Sequence, residues 1–192
     1  MIPEKSARLM RLASYASVGV AGTLIIAKFS AWVVTDSVSL LSTLIDSVLD
    51  AAASVVNLLA VRHALQPADE EHRFGHGKAE PIAGLAQAAF IAGSAVFLLI
   101  QAGERIFFPK VIAHASVGYI VMVFSIALTV CLVIFQRYVI KRSGSLVISA
   151  DSLHYQGDVL INASVLLSIF LASEMGVIYA DPVFAAAICG PA

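Results

Sequence analysis

Charged residues are scarce in this sequence: Asp, Glu, Lys and Arg make up 13% of its 192 residues, about half the share of an ordinary soluble domain. Cysteine is scarcer still. Cys131 and Cys189 lie in apolar segments without CxxC spacing, so both read as small apolar residues rather than a disulfide or a thiolate metal pair. No basic stripe is present either: the net charge is -1 and the Lys and Arg residues sit mostly at the ends of apolar runs, which argues against nucleic acid as a partner. The basic start, MIPEKSARLMRLAS, is not followed by a small-residue cleavage site, so the first apolar run reads as a retained helix rather than a signal peptide. Internal repeats, low-complexity tracts and flexible linkers are also missing, and residues 1–192 read as one membrane domain.

What is present is apolar. Hydrophobic residues make up 59% of the chain and the mean hydropathy is +0.90. A helix needs about 20 mostly apolar residues to cross a hydrocarbon core of roughly 30 Å. Five windows of that kind fall at about 12–34, 38–63, 82–106, 114–136 and 146–175. Asp181 and Pro182 then fit the first turn of another helix, of which VFAAAICGPA supplies the beginning. The expected fold is therefore all-α, a polytopic membrane helix bundle of five complete transmembrane helices plus the start of a sixth, truncated within that sixth helix. Nine basic residues (Lys5, Arg8, Arg11, Arg62, Arg73, Lys78, Arg137, Lys141 and Arg142) fall on one side of this topology, against Arg105 and Lys110 on the other. Their excess predicts a cytoplasmic N-terminus. Lys28, inside the first span, is expected to snorkel outward.

Asp46 and Asp50, in LIDSVLDAAAS, stand four residues apart inside the second span and so project from one helix face, roughly 6 Å apart along the axis. The stretch DSLHYQGDVLIN repeats the pattern on the fifth span with His154, Asp158 and Asn162. The second and fifth spans run in opposite directions. At about 1.5 Å per residue, Asp46 and Asp50 lie roughly 12–18 Å from one edge of the core, and His154 and Asp158 lie as far from the other. Both pairs therefore fall near the midplane. Ser54 and Asn57 on the same stripe read as helix-packing polar groups. The acids do not, because each ionised Asp at a helix centre costs about 2.5–3.5 kcal/mol on insertion scales. A bound divalent cation is the simplest compensation, and three carboxylates with one imidazole suit Zn²⁺ or a similar first-row ion.

The connection QPADEEHRFGHGKAEP holds a second cluster, Asp69, His72 and His76. Arg73 stands where H-E-x-x-H needs its Glu, so the segment is no zinc-protease helix. It reads either as a charged solvated loop or as a peripheral metal site. An enzyme would need an open coordination position and a nearby general base, and all four midplane positions are protein ligands. The expectation is no enzyme.

Taken together, LLSTLIDSVLD, QPADEEHRFGHGKAEP and ADSLHYQGD resemble the cation diffusion facilitator family, in particular its bacterial zinc and ferrous-iron efflux branch. The resemblance implies a multi-pass protein of the bacterial inner membrane that exports divalent cations by proton-coupled antiport and alternating access. Zn²⁺ leads as substrate, with Fe²⁺ and Cd²⁺ as further cargo; no prosthetic group is implied. It assigns Asp46, Asp50, His154 and Asp158 to the transport site and Asp69, His72 and His76 to a loop metal site. The expected partners are the lipid bilayer, divalent cations, protons and, at full length, a second copy in a homodimer. Members of the branch complete the sixth helix and then carry a cytoplasmic ferredoxin-like domain. The alternative reading is a non-transporting membrane metal-binding fragment or a metal sensor.

Overall fold

A computed structural model describes residues 3–36, 38–107 and 115–175. Among these the chain is helical: α1 spans Glu4–Thr35, α2 Val38–Ala64, α3 Ala79–Phe107, α4 Ala115–Ser143 and α5 Leu146–Met175. Four windows are long and apolar enough to cross a bilayer: Glu4–Thr35, Thr43–Ala64, Ala79–Phe97 and Val117–Ser143. The fifth helix forms where expected, but its first half carries Asp151, Ser152, His154, Gln156 and Asp158. Those side chains hold its described part below the hydropathy of a lipid-facing span. The expected sixth helix, with Asp181, Pro182 and Cys189, lies outside the described residues, as does Lys110.

Each boundary has a local cause. α1 stops at Asp36, which takes a left-handed backbone conformation (φ 49°) and donates its N–H to the Trp32 carbonyl at 2.7 Å; Asp is among the few residues that tolerate this region. α4 runs beyond the expected 136 to Ser143, placing Lys141 and Arg142 in a last turn whose free carbonyls favour cations. Gly144 then reverses the chain with φ 66°, its N–H bonded to the Ile140 carbonyl at 2.8 Å. Such a left-handed cap suits glycine. The start of α5 is capped twice: the Ile148 N–H reaches Ser145 Oγ at 3.3 Å, and the Leu146 N–H reaches Glu80 Oε1 on α3 at 2.8 Å.

α1 packs against α2 and α4, α5 against α3 and α4, and α2 against α3 and α5. At the end of the bundle nearest the α2–α3 loop, Met10, Ala13, Val61, Ala83, Val139, Val147 and Ile148 form an apolar plug drawn from all five helices. Outside this plug the distribution inverts. Ile26, Val34, Leu59, Ile82, Leu85 and Ile120 are exposed, while Ser14, Ser17, Ser54, Asn57, Gln87, Gln136 and Asp151 are buried. A helix in hydrocarbon gains nothing by hiding its leucines, whereas every polar group needs a partner, so such a bundle turns its polar faces inward.

Candidate metal centre

Asp50 on α2 meets His154 and Asp158 on α5 inside the bundle. His154 Nε2 lies 3.0 Å from Asp50 Oδ1 and 3.7 Å from Asp158 Oδ2. One ligand atom from each of the three residues falls within 4.8 Å of the others, a spacing that a single ion could bridge. His154 is buried, with Phe90 edge-on to its ring at 5.5 Å and Tyr155 beside it at 5.7 Å. Asp50 and Asp158 are half-buried. Asp46, one turn along α2, is exposed and falls outside the grouping, although it interacts electrostatically with Asp50. Two oxygen ligands and one nitrogen thus converge, with a third oxygen a helical turn away.

Beneath this cluster lies a network that the sequence reading did not single out, centred on Asp151, which is 1% exposed. Its Oδ2 accepts Ser17 Oγ–H from α1 and Gln136 Nε2–H from α4, both at 2.7 Å. Its Oδ1 accepts Asn57 Nδ2–H from α2 at 2.9 Å. Asn57 also donates to Gln87 Oε1 on α3 at 3.3 Å, so one hydrogen-bonded chain joins all five helices. Ser54 Oγ and the Tyr155 hydroxyl are 2.8 Å apart. The signal for Asp151 was available, since a carboxylate three residues before His154 in an apolar helix is as costly as the acids that were chosen.

Lys28 departs from expectation. Its Nζ does not run outward; it donates to Ser47 Oγ at 2.6 Å and to the Thr43 carbonyl at 3.1 Å, both on α2. The shared reason is burial: Ser47 is 2% exposed, and a snorkelled ammonium would leave that hydroxyl without this partner.

In the α2–α3 loop, Asp69 Oδ1 accepts the His72 N–H at 2.5 Å and stands 3.2 Å from His72 Nδ1. Its Oδ2 is 3.4 Å from His76 Nε2. Asp69, His72 and His76 form the second ligand grouping among the described residues. Gly75, at φ 78°, makes the turn that brings His76 back toward Asp69. His63, from the last turn of α2, packs edge-on against His76 with ring centres 4.5 Å apart, the same separation as His72 from His76. The sequence reading missed His63 because it belongs to the helix rather than the loop. The His72 backbone N–H, donated to Asp69, holds that carboxyl below the usual range. Asp69 therefore stays ionised as pH falls and remains available as a charged ligand. Asp69→Asn removes the carboxylate charge that faces both imidazoles and should weaken metal binding in the loop at least about 10–100-fold, the loss typical of even an outer-shell partner, as read by equilibrium titration against a chelator.

Apolar-faced helices that turn carboxylates and imidazole inward define a multi-pass membrane protein of the kind that moves ions across a bilayer. Residues 14–190 match the family described as the cation efflux transmembrane domain, and the chain belongs to that family. It is 48% identical over 179 residues to the cation-efflux pump FieF of Shewanella oneidensis, covering 93% of this chain and 60% of that protein. It is 47% identical over 182 residues to the FieF pump of Serratia proteamaculans (95% and 60%). With that of Pectobacterium carotovorum it shares 48% over 184 residues (96% and 61%). The chain thus spans about 60% of the length of these curated relatives.

Proposed function

We propose that residues 1–192 form the membrane domain of a divalent metal cation exporter, with Zn²⁺ as leading substrate and Fe²⁺ or Cd²⁺ as alternatives. One observation carries this reading: Asp50, His154 and Asp158 offer ligand atoms within 4.8 Å of one another inside a bundle of apolar helices. Asp46 is one helical turn from this set, within reach by a small rotation or slide of α2, and is proposed as the fourth ligand. An ion held between two helices is released when they shift, so sliding of α2 against α5 is the proposed basis of alternating access. The N-terminus and the α2–α3 loop are proposed to lie on the cytoplasmic side of the inner membrane, which the basic residues around them favour, and the functional unit is proposed to be a homodimer.

Proton exchange follows from charge. When a divalent ion leaves, carboxylates remain together in a poorly solvated site and repel one another, so part of their charge must be neutralised. Protons are the available substitute, with His154 as a principal carrier because imidazole ordinarily exchanges its proton near physiological pH. Metal affinity should therefore drop steeply as pH falls from about 7.5 to about 5.5, since protons and metal compete for the same atoms. His154→Asp keeps a ligand but should shift that dependence and change the preference among metals. Metal flux into proteoliposomes under imposed pH gradients tests the mechanism. Flux indifferent to the gradient removes the antiport, and binding without net flux leaves a metal sensor.

Asp69, His72 and His76 are proposed as a loop site that modulates export rather than carrying it, because it lies outside the spans. The double variant His72→Ala, His76→Ala should lose one bound metal per chain and keep measurable flux. Complete loss of flux in the folded variant would reverse this ranking.

A further inference from the structure

The ammonium of Lys28 is pinned to the helix that carries Asp46 and Asp50. Its two hydrogen bonds, to Ser47 Oγ at 2.6 Å and the Thr43 carbonyl at 3.1 Å, fix it on α2 between those carboxylates in sequence and one turn before them. Ser47 directly follows Asp46 and precedes Asp50 by three residues on α2, so the ammonium is anchored within about one helical turn of both carboxylates. A lysine retained only to reach lipid headgroups would need neither bond.

We propose that Lys28 is a fixed internal counter-cation of the metal centre, a positioning residue that tunes affinity without ligating. It offsets carboxylate charge while the site is empty, holding the acids together against their mutual repulsion. When a divalent ion enters, the same ammonium repels it and speeds its departure. A transporter needs this second effect, because an ion bound too tightly is carried but not released. Lys28 thereby supplies charge that protons would otherwise bring. This rests on the reading of Asp50, His154 and Asp158 as the cation site.

The experiment uses the whole chain in lipid nanodiscs, in the His72→Ala, His76→Ala background so that only the bundle site is read. Zn²⁺ and Cd²⁺ are titrated against a competing chelator at constant pH. A unit charge close to a divalent ion in a poorly solvated bundle is worth at least about tenfold in affinity. Lys28→Met should tighten binding by about that factor, whereas Lys28→Arg, which keeps the charge, should stay within about threefold. Lys28→Gln is neutral yet can still donate to Ser47 and Thr43; it should follow Lys28→Met even if the apolar variant folds poorly. In flux measurements the neutral variants should lower KM and slow turnover together. Unchanged or weaker binding in folded Lys28→Gln overturns the proposal while Asp50-dependent binding persists. Absence of Asp50-dependent binding in the Lys28 parent overturns the site reading, and the counter-cation with it.

Discussion

Asp50→Asn and Asp158→Asn are each expected to abolish high-affinity metal binding and transport while the protein still inserts and folds. Asp50 Oδ1 lies 3.0 Å from His154 Nε2, and Asp158 Oδ2 lies 3.7 Å from the same nitrogen. Removing either carboxylate takes away a charged ligand and leaves the imidazole facing one acid instead of two. Loss of even an outer-shell partner typically lowers metal affinity 10–100-fold, so loss of a direct ligand should exceed about 100-fold. The amide preserves shape and one acceptor oxygen while removing the charge, which separates the ligand role from a packing role; Ala variants should behave alike if they insert. Equilibrium metal binding and vesicle flux are the measurements. Unchanged affinity and stoichiometry in both amide variants would end the bundle-site model.

The opposite pattern is expected of Asp151→Ala, which should destabilise strongly and change affinity little. Three buried donors, from Ser17, Asn57 and Gln136, converge on this carboxylate and would lose their acceptor together. Hydrogen bonds inside membrane bundles average about 0.6 kcal/mol each, whereas a buried donor left unpaired costs about 1–3 kcal/mol. Three of them put the loss at about 2–5 kcal/mol, since some donors can rotate to other acceptors. The thermal midpoint of the purified protein in detergent should fall accordingly. Binding at the folded fraction should stay within about tenfold, the lower end of what an outer-shell change does. Asp151→Asn should fall between, because its amide nitrogen cannot accept the Asn57 donor or the Ser17 and Gln136 pair, depending on how it is turned. A folded Asp151→Ala with undiminished stability would show that the network is incidental to the bundle.

These contrasts mark the boundary between what the chain spells out and what packing adds. Hydropathy and the scarcity of charge located all five described helices, because length and apolar content alone decide whether a segment suits a bilayer. The boundaries depended on local chemistry that hydropathy does not register: α4 continued through Arg137, Lys141 and Arg142 because a helix end welcomes cations. The i,i+4 spacing of Asp46 with Asp50 and of His154 with Asp158 was also legible, as was the Asp69, His72 and His76 cluster, because these residues are near neighbours in the chain. Periodicity places residues on a face; it does not say how far each helix is rotated about its axis or slid along its neighbour. Only the tertiary structure set Asp50, rather than Asp46, against His154. Packing of α1 on α2 turned Lys28 inward to Ser47, and the fold gathered Ser17, Asn57 and Gln136 around Asp151 from sequence separations of 134, 94 and 15 residues. Each of those contacts depends on which helix lies beside which, and that choice is made by burying the polar faces of all five helices at once.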